Sequence, residues 1–128
     1  MTTGRILVVE DNERNLKLVR DVLQHAGYDI IEARTGEQGV HLAQAHPPDL
    51  VLMDLQLPGI DGQQAMRQLR DDERTSHIPV IAVTASVMND DRARVLQAGF
   101  DGYLEKPISV RDLPGQVQAF LTGRDISR

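Results

Sequence analysis

The stretch LVLMDLQLPG, residues 50–59, contains four consecutive apolar residues that stop at Asp54 and lead into a Pro-Gly turn. Two other runs, ILVV at residues 6–9 and VIAV at residues 80–83, have the same length and also stop at a polar residue. A strand with both faces buried in a parallel sheet needs continuous apolar character instead of alternation. The three runs therefore predict the central strands of a parallel sheet.

The segments between these runs show apolar residues spaced three and four apart, which is typical of helices. The residues that carry this pattern are Leu16, Val19, Leu23 and Ala26; Val40 and Ala43; Ala65, Met66 and Leu69; Ala93, Val95, Leu96 and Ala98; and Val117, Phe120 and Leu121. Two shorter extended stretches, Tyr28 to Glu32 and Gly102 to Glu105, complete a strand–helix unit repeated five times. This alternation predicts an α/β fold of the (βα)5 type, in which helices cover both faces of a five-stranded parallel sheet as a three-layer sandwich.

Length and composition restrict the class of protein. The 128 residues predict a single domain over 1–128, with its core at about 5–121 and a polar tail at 122–128. The 14 basic and 19 acidic residues give a formal net charge of −5, which argues against nucleic acid or an anionic membrane as partner. The apolar runs are too short to span a membrane, and the acidic residues after the first exclude a signal peptide. We therefore expect a cytoplasmic protein.

Polar residues follow four of the predicted strands directly. Glu10 and Asp11 follow the first run, Asp54 the second and Thr84 the third, and Lys106 follows the last extended stretch. In an open α/β sheet, ligands bind outside the carboxyl ends of the strands. Taken singly, these residues are also typical of helix caps, loop acids or solvated lysines. Together they predict a site with three carboxylates, a hydroxyl and an ammonium at one edge of the sheet.

This set of groups favours metal-assisted phosphoryl chemistry. Clustered carboxylates repel one another unless a cation binds, and hard oxygen ligands without nearby His or Cys suit Mg²⁺. A carboxylate beside a divalent metal can act as a nucleophile and form an aspartyl phosphate. An ammonium and a hydroxyl would stabilise charge on the phosphoryl oxygens. Pro107 restricts Lys106 to extended backbone conformations, while the sequence leaves their peptide bond open between cis and trans.

Four short motifs carry a resemblance to a known family. VEDN at residues 9–12, MDLQLPGIDG at 53–62, TA at 84–85 and KP at 106–107 together resemble the response-regulator receiver domain of the CheY-like superfamily. The resemblance extends over residues 5–121 and implies a flavodoxin-like fold with strand order 2-1-3-4-5. It also implies a phospho-accepting role in a two-component or phosphorelay pathway. The segment at 10–18 resembles stand-alone regulators of the DivK type and the receivers of hybrid kinases.

The resemblance assigns the acceptor and the metal ligands. It implies that Asp54 is the phospho-acceptor, that Asp11 binds Mg²⁺ directly and that Glu10 acts on the metal through water. The backbone carbonyl of Gln56 is implied as a further metal ligand, and Lys106 as the phosphate-binding lysine. Glu10 stands where many receivers have a second aspartate, so we expect metal binding with altered affinity.

The resemblance also assigns switch and docking residues. Thr84 matches the switch hydroxyl, and Tyr103 matches the aromatic switch position, which is also compatible with an ordinary half-buried strand tyrosine. Arg14, Asn15 and Leu18 lie where the family docks a histidine kinase or a histidine phosphotransfer protein. A downstream protein target completes the implied partners.

No enzyme activity is implied beyond the chain's own phosphoryl acceptance and slow autodephosphorylation. Gln56 and Ser86 occupy the two positions that tune phosphoryl lifetime in this family, and neither is an acid or a base. A haloacid-dehalogenase-like phosphatase is disfavoured because its aspartates follow the first strand. A flavodoxin is disfavoured because no glycine-rich phosphate loop follows the first strand. A pseudo-receiver, which binds partners without phosphorylation, stays open.

Pro114 decides where the last helix begins. If Ser109 caps the helix, Pro114 falls at its fifth position and clashes with the carbonyl of Val110. If Asp112 is the cap, the helix begins at Leu113 and Pro114 lies in its first turn, which we favour. Either start alters the surface through which receivers commonly dimerise, so we expect a monomer or a weak dimer.

Overall fold

The computed structural model describes residues 4–85 and 89–122, except for the side chains of 89–92. Strands and helices alternate in these ranges: β1 (Arg5–Val9), α1 (Glu13–His25), β2 (Asp29–Ala33), α2 (Gly36–Ala45), β3 (Leu50–Asp54), α3 (Gly62–Arg70), β4 (Val80–Thr84), α4 (Asn89–Ala98), β5 (Gly102–Glu105) and α5 (Leu113–Leu121). All strand pairs are parallel, in the order β2-β1-β3-β4-β5. The predicted (βα)5, flavodoxin-like fold is confirmed.

Two apolar clusters sandwich the sheet and explain the continuous apolar runs. Alternate strand residues enter opposite clusters: Leu7 and Val51 pack with α2, α3 and α4, whereas Val8 and Leu52 pack with α1 and α5. Each of these side chains is almost completely excluded from solvent. Because both faces of β1, β3 and β4 are buried, these runs contain no polar residue before the carboxyl end of each strand.

Strand β2 begins one residue later than the pattern predicts. The N–H of Tyr28 donates to the carbonyl of Leu23 at 3.1 Å, so Tyr28 still belongs to the turn that ends α1. Asp29 is the first residue paired with β1, opposite Arg5. The side chain of Tyr28 is buried against α1. A large, mostly apolar side chain suits this turn as well as it suits a strand, so residue type alone does not distinguish the two.

Helix α5 begins at Leu113 with Asp112 as its N-cap residue, as favoured above. Pro114 lies in the first turn, where its missing N–H costs no helical hydrogen bond. The N–H of Asp112 donates to the hydroxyl of Ser109 at 3.2 Å, so Ser109 supports the entry to the helix without being its cap. Residues 123–128 of the predicted tail lie outside the described residues, and the single-domain boundaries stay a prediction.

One arginine ties the amino-terminal ends of β4 and β5 together. The guanidinium of Arg70, at the end of α3, donates to the carbonyls of Ile78 (2.7 Å) and Gly99 (3.1 Å) and pairs with Asp101 at 2.6 Å. The same carboxylate oxygen of Asp101 accepts from the N–H of Val80 at 2.8 Å. This clasp sets the relative position of the two strands whose opposite ends carry predicted site residues.

Within the described residues, no helix is long and apolar enough to cross a membrane.

The start of α3 lies directly against the end of β3. The N–H of Gly62 donates to the carbonyl of Leu55 at 3.3 Å. A Cβ on Gly62 would come within 2.9 Å of the Leu55 Cα and would meet the carbonyl oxygen of Asp54 even more closely. These neighbours are backbone atoms that cannot swing aside, so only glycine allows the helix to support the predicted acceptor loop this closely.

We expect Gly62→Ala to lower the free energy of unfolding by about 2 kcal/mol, because the added methyl group forces the acceptor loop away from α3. Gly115→Ala, in the first turn of α5, is the matched control because its added Cβ meets no atom within 4 Å. There we expect a gain of about 0.5–1 kcal/mol from the higher helix propensity of alanine. Urea unfolding of both variants measures the difference, and equal effects would show that the contact at Gly62 is unimportant.

Candidate functional site

Backbone hydrogen bonds hold the first residues beyond the strand ends. The N–H of Leu55 donates to the carbonyl of Val83 at 3.1 Å, and the N–H of Lys106 donates to the carbonyl of Thr84 at 2.8 Å. Each bond extends the pairing of neighbouring strands by one step beyond the ladder. The side chains at the carboxyl edge of the sheet therefore start from a rigid backbone.

The three predicted carboxylates meet at this edge. Glu10, Asp11 and Asp54 each offer one oxygen, and these three oxygens all lie within 4.8 Å of one another. Glu10 is 5% exposed and Asp54 is 3% exposed, whereas Asp11 is exposed. The cluster thus combines two buried acids with one exposed acid, Asp11, at which solvent reaches it.

Helix capping does not use Asp11. The side chain of Asn12 caps α1 by accepting from the N–H groups of Arg14 (3.0 Å) and Asn15 (3.1 Å). The N–H of Asn12 in turn donates to Glu10 Oε2 at 3.3 Å. Because Asn12 satisfies the first turn of the helix, the carboxylate of Asp11 is left to the cluster.

Lys106 joins the two buried acids. Its Nζ lies 3.1 Å from Asp54 Oδ2 and 3.1 Å from Glu10 Oε1. The other oxygen of Asp54, Oδ1, accepts the N–H of Gln56 at 3.0 Å. The Lys106–Pro107 peptide bond is cis, which the sequence had left open. The resemblance implies that Glu10 acts on the metal through water, and it does not predict the direct ion pair between Glu10 and Lys106. The one sequence feature that hints at this pair is the glutamate itself, because its side chain is one methylene longer than the aspartate that many receivers have at this position.

Burial and the neighbouring acid change the ionisation of Glu10. Desolvation, together with the hydrogen bond and charge of Asp54, raises the pKa of Glu10 from its ordinary value of 4.5 to about 7, while Lys106 opposes the shift. Burial lowers the pKa of Lys106, but its hydrogen bonds to Asp54 and Glu10 outweigh burial and leave the pKa raised. The ammonium of Lys106 therefore stays protonated, whereas the neighbouring carboxyl group of Glu10 takes up a proton near neutral pH.

The predicted switch residues lie on β4, next to the acceptor's strand, and on β5, one strand further out. Thr84 is half-buried at the end of β4. Tyr103, on β5, is opposite Ala82 and packs half-buried against the apolar cluster beneath α2, α3 and α4. Their placement fits both an ordinary strand position and a switch, so the switch role stays a prediction. Ser86, the second lifetime position, lies outside the described residues.

The predicted docking residues share helix α1. Arg14 and Leu18, which is 37% exposed, are four residues apart and therefore lie on one face. Asn15 is half-buried beside them. The docking role of these three residues stays a prediction, as does the metal contact of the Gln56 carbonyl.

The chain belongs to the response-regulator receiver family. The family model described as "Response regulator receiver domain" matches residues 6–118. The chain is thus a receiver domain with a role in two-component signalling, a class that works with kinase or phosphotransfer partners. This membership also places it among signalling receivers and apart from conventional enzymes.

Individual relatives agree with this family. The chain is 45% identical to the polar-differentiation response regulator DivK of Brucella ovis, over 93% of this chain and 97% of that protein. The receiver domain of a sensor histidine kinase from Pseudomonas aeruginosa, solved with a magnesium ion coordinated in its active-site cleft, is 36% identical, with a TM-score of 0.85 over 93% of this chain and 98% of that one. The chemotaxis response regulator CheY4 of Vibrio cholerae, 24% identical, has a TM-score of 0.86 over 91% of this chain and 98% of that chain, and supports the fold alone.

The raised pKa of Glu10 predicts a pH-dependent stability. The native protein keeps a proton that the unfolded chain releases between pH 4.5 and about 7, so the free energy of unfolding falls as pH rises through this window. At roughly 1.4 kcal/mol per pKa unit, the rise of the pKa from 4.5 to about 7 corresponds to a loss of about 3 to 4 kcal/mol. Glu10→Gln removes this dependence and is more stable than wild type at pH 8.

Urea unfolding from pH 4 to 9 without divalent metal measures this effect. Glu73→Gln, a change at an exposed acid in the loop after α3, is the control and keeps the wild-type pH profile. Parallel profiles for wild type and Glu10→Gln would contradict the assignment of the proton to Glu10.

Proposed function

We propose that Asp54 accepts a phosphoryl group in a Mg²⁺-dependent reaction and that this modification changes the surface the chain presents to a partner protein. The observation that carries the proposal is the position of the Lys106 ammonium, 3.1 Å from both Asp54 Oδ2 and Glu10 Oε1. A buried carboxylate beside a fixed cation is a nucleophile whose charged product has a counter-charge already in place.

The acidic cluster fits Mg²⁺. Its three carboxylate oxygens lie close enough to share one small cation, and hard oxygen donors are the ligands that Mg²⁺ prefers. Asp11, Asp54 and the backbone carbonyl of Gln56 would hold the ion, with Glu10 acting on it through water. When bound, Mg²⁺ supplies positive charge against the oxygens of the transferring phosphoryl group. The magnesium-bound cleft of the Pseudomonas aeruginosa receiver domain supports this assignment.

The transfer itself requires few groups. A carboxylate oxygen of Asp54 forms a bond to phosphorus while the bond from phosphorus to the donor's histidine nitrogen breaks, and the electron pair leaves with the imidazole. Lys106 moves from the carboxylate to a phosphoryl oxygen, and the hydroxyl of Thr84 donates to another. Phosphoryl transfer depends mainly on such positioning and charge stabilisation. The burial of Asp54, at 3% exposure, limits access of water and supports slow autodephosphorylation.

The added charge drives the switch. Drawing Thr84 toward the phosphoryl group vacates space near β4, and Tyr103 on β5 moves into it. The half-buried position of Tyr103 supports this role, since a small movement changes how much of the ring is exposed. A local charge change is thereby read out as a change of protein surface.

The donor in this proposal is a histidine kinase or a histidine phosphotransfer protein that docks against Arg14, Asn15 and Leu18. The exposed apolar side chain of Leu18 supports a protein contact at this place. A downstream protein binds the switched surface, and the receiver acts as a monomer or weak dimer in the cytoplasm, where its donors carry phosphohistidine.

Intact mass after incubation with acetyl phosphate and Mg²⁺ tests the acceptor. We expect wild type and the control Asp29→Asn, an exposed acid at the start of β2, to gain one phosphoryl group. Asp54→Asn gains none, and wild type gains none when a chelator removes Mg²⁺. Wild type that is folded and binds Mg²⁺ but gains no mass with this donor or with phosphorylated histidine phosphotransfer protein would instead be a pseudo-receiver.

A further inference from the structure

A groove runs beside α1, on the side of the sheet edge formed by β2. Its volume is about 300 Å³. The side chains that line it come from α1 and from the end of β2: Glu13, Arg14, Leu16, Lys17, Arg20, Glu32 and Arg34. The groove therefore combines four basic side chains with two acidic ones in a chain whose formal net charge is −5.

Two of the basic side chains are already paired within the groove. Arg34 contacts Glu13 at 2.7 Å, and Arg20 contacts Glu32 at 2.9 Å. These two acids are thus neutralised by their own partners. They leave the charge of the other two basic residues uncompensated.

Those two residues are Arg14 and Lys17. Both are exposed, and neither forms an ion pair with any part of the chain that the structure describes. They lie three residues apart on α1, about 4.5 Å along its axis at 1.5 Å per residue. With the two internally paired arginines and their glutamates, the lining of the groove has a formal net charge of +2, which favours an acidic partner.

We propose that this groove, the α1–β2 groove, binds an acidic segment of the protein that docks against α1. The proposal rests on the proposed function, because Arg14 belongs both to the donor-docking face and to the groove. It adds that the partner presents a run of Asp or Glu side chains and that its contact extends beyond the docking face to Lys17. Such a pairing accelerates association and selects acidic partners, and added salt weakens it.

Amide chemical-shift mapping with a peptide of ten glutamates tests the groove. We expect shifts confined to residues 13–20 and 32–34, and an affinity that falls as salt rises from about 50 to 300 mM. Arg14→Glu combined with Lys17→Glu weakens binding by roughly fivefold or more, since the two uncompensated cations become anions and their attraction to the peptide becomes repulsion. The control combines Arg67→Glu and Arg94→Glu, which change the net charge equally at exposed positions of α3 and α4.

Four outcomes overturn the proposal. They are no binding of the peptide, equal weakening in the two double variants, the same shifts with inorganic phosphate at equal concentration, and shifts caused by self-association of the chain without peptide. Acceptance of phosphate from acetyl phosphate is measured on wild type in the same buffer. Its failure would overturn the proposed function, whereas peptide binding reports on the groove alone.

Discussion

Two buried carboxylates that share one ammonium are the feature on which the site depends. Glu10 and Asp54 lie at the sheet edge almost without solvent, and Lys106 reaches both at 3.1 Å. Two acids in such a place repel each other and lose hydration, which is unfavourable unless a cation or a proton compensates. Without metal, the ammonium of Lys106 compensates the negative charge, and so does the proton that Glu10 retains because its pKa is raised. A ligand that adds or displaces positive charge at this site therefore changes the ionisation and the ion pairs of these three residues.

The site groups lie at the ends of the strands or one or two residues beyond them, so the strands determine their positions. Every site strand is parallel and ends at the same edge, and backbone bonds continue beyond the last ladder pair at Leu55 and Lys106. The Arg70–Asp101 clasp fixes β4 and β5 at the opposite edge. Gly62 brings α3 into contact with the backbone of the acceptor loop. The backbone bonds, the Arg70–Asp101 clasp and the contact at Gly62 hold the backbone around Asp54 in place. We therefore expect a change at Asp54 to move mainly the nearby side chains and surface.

Most of the fold was predictable because a strand that is buried on both faces of the sheet must be a continuous run of apolar residues. The apolar runs of β1, β3 and β4 end at one edge of the sheet, so the sequence alone predicts that the polar residues after them are neighbours. The predicted start of β2 at Tyr28 was one residue too early, because Tyr28 is buried like a strand residue but belongs to the turn after α1. The start of α5 followed from the chemistry of Pro114, which excludes the helix interior.

The amino-acid sequence by itself determined the strand–helix alternation, the edge at which the acids, the hydroxyl and the lysine meet, and the receiver motifs. These depend on residue type and short-range spacing, which local periodicity records. Only the tertiary structure decided that Lys106 pairs with Glu10 as well as Asp54, that Arg70 clasps Asp101, and that the cations of α1 face Glu32 and Arg34 across a groove. These contacts join residues from different elements, and the length and direction of their side chains depend on packing that no local pattern encodes.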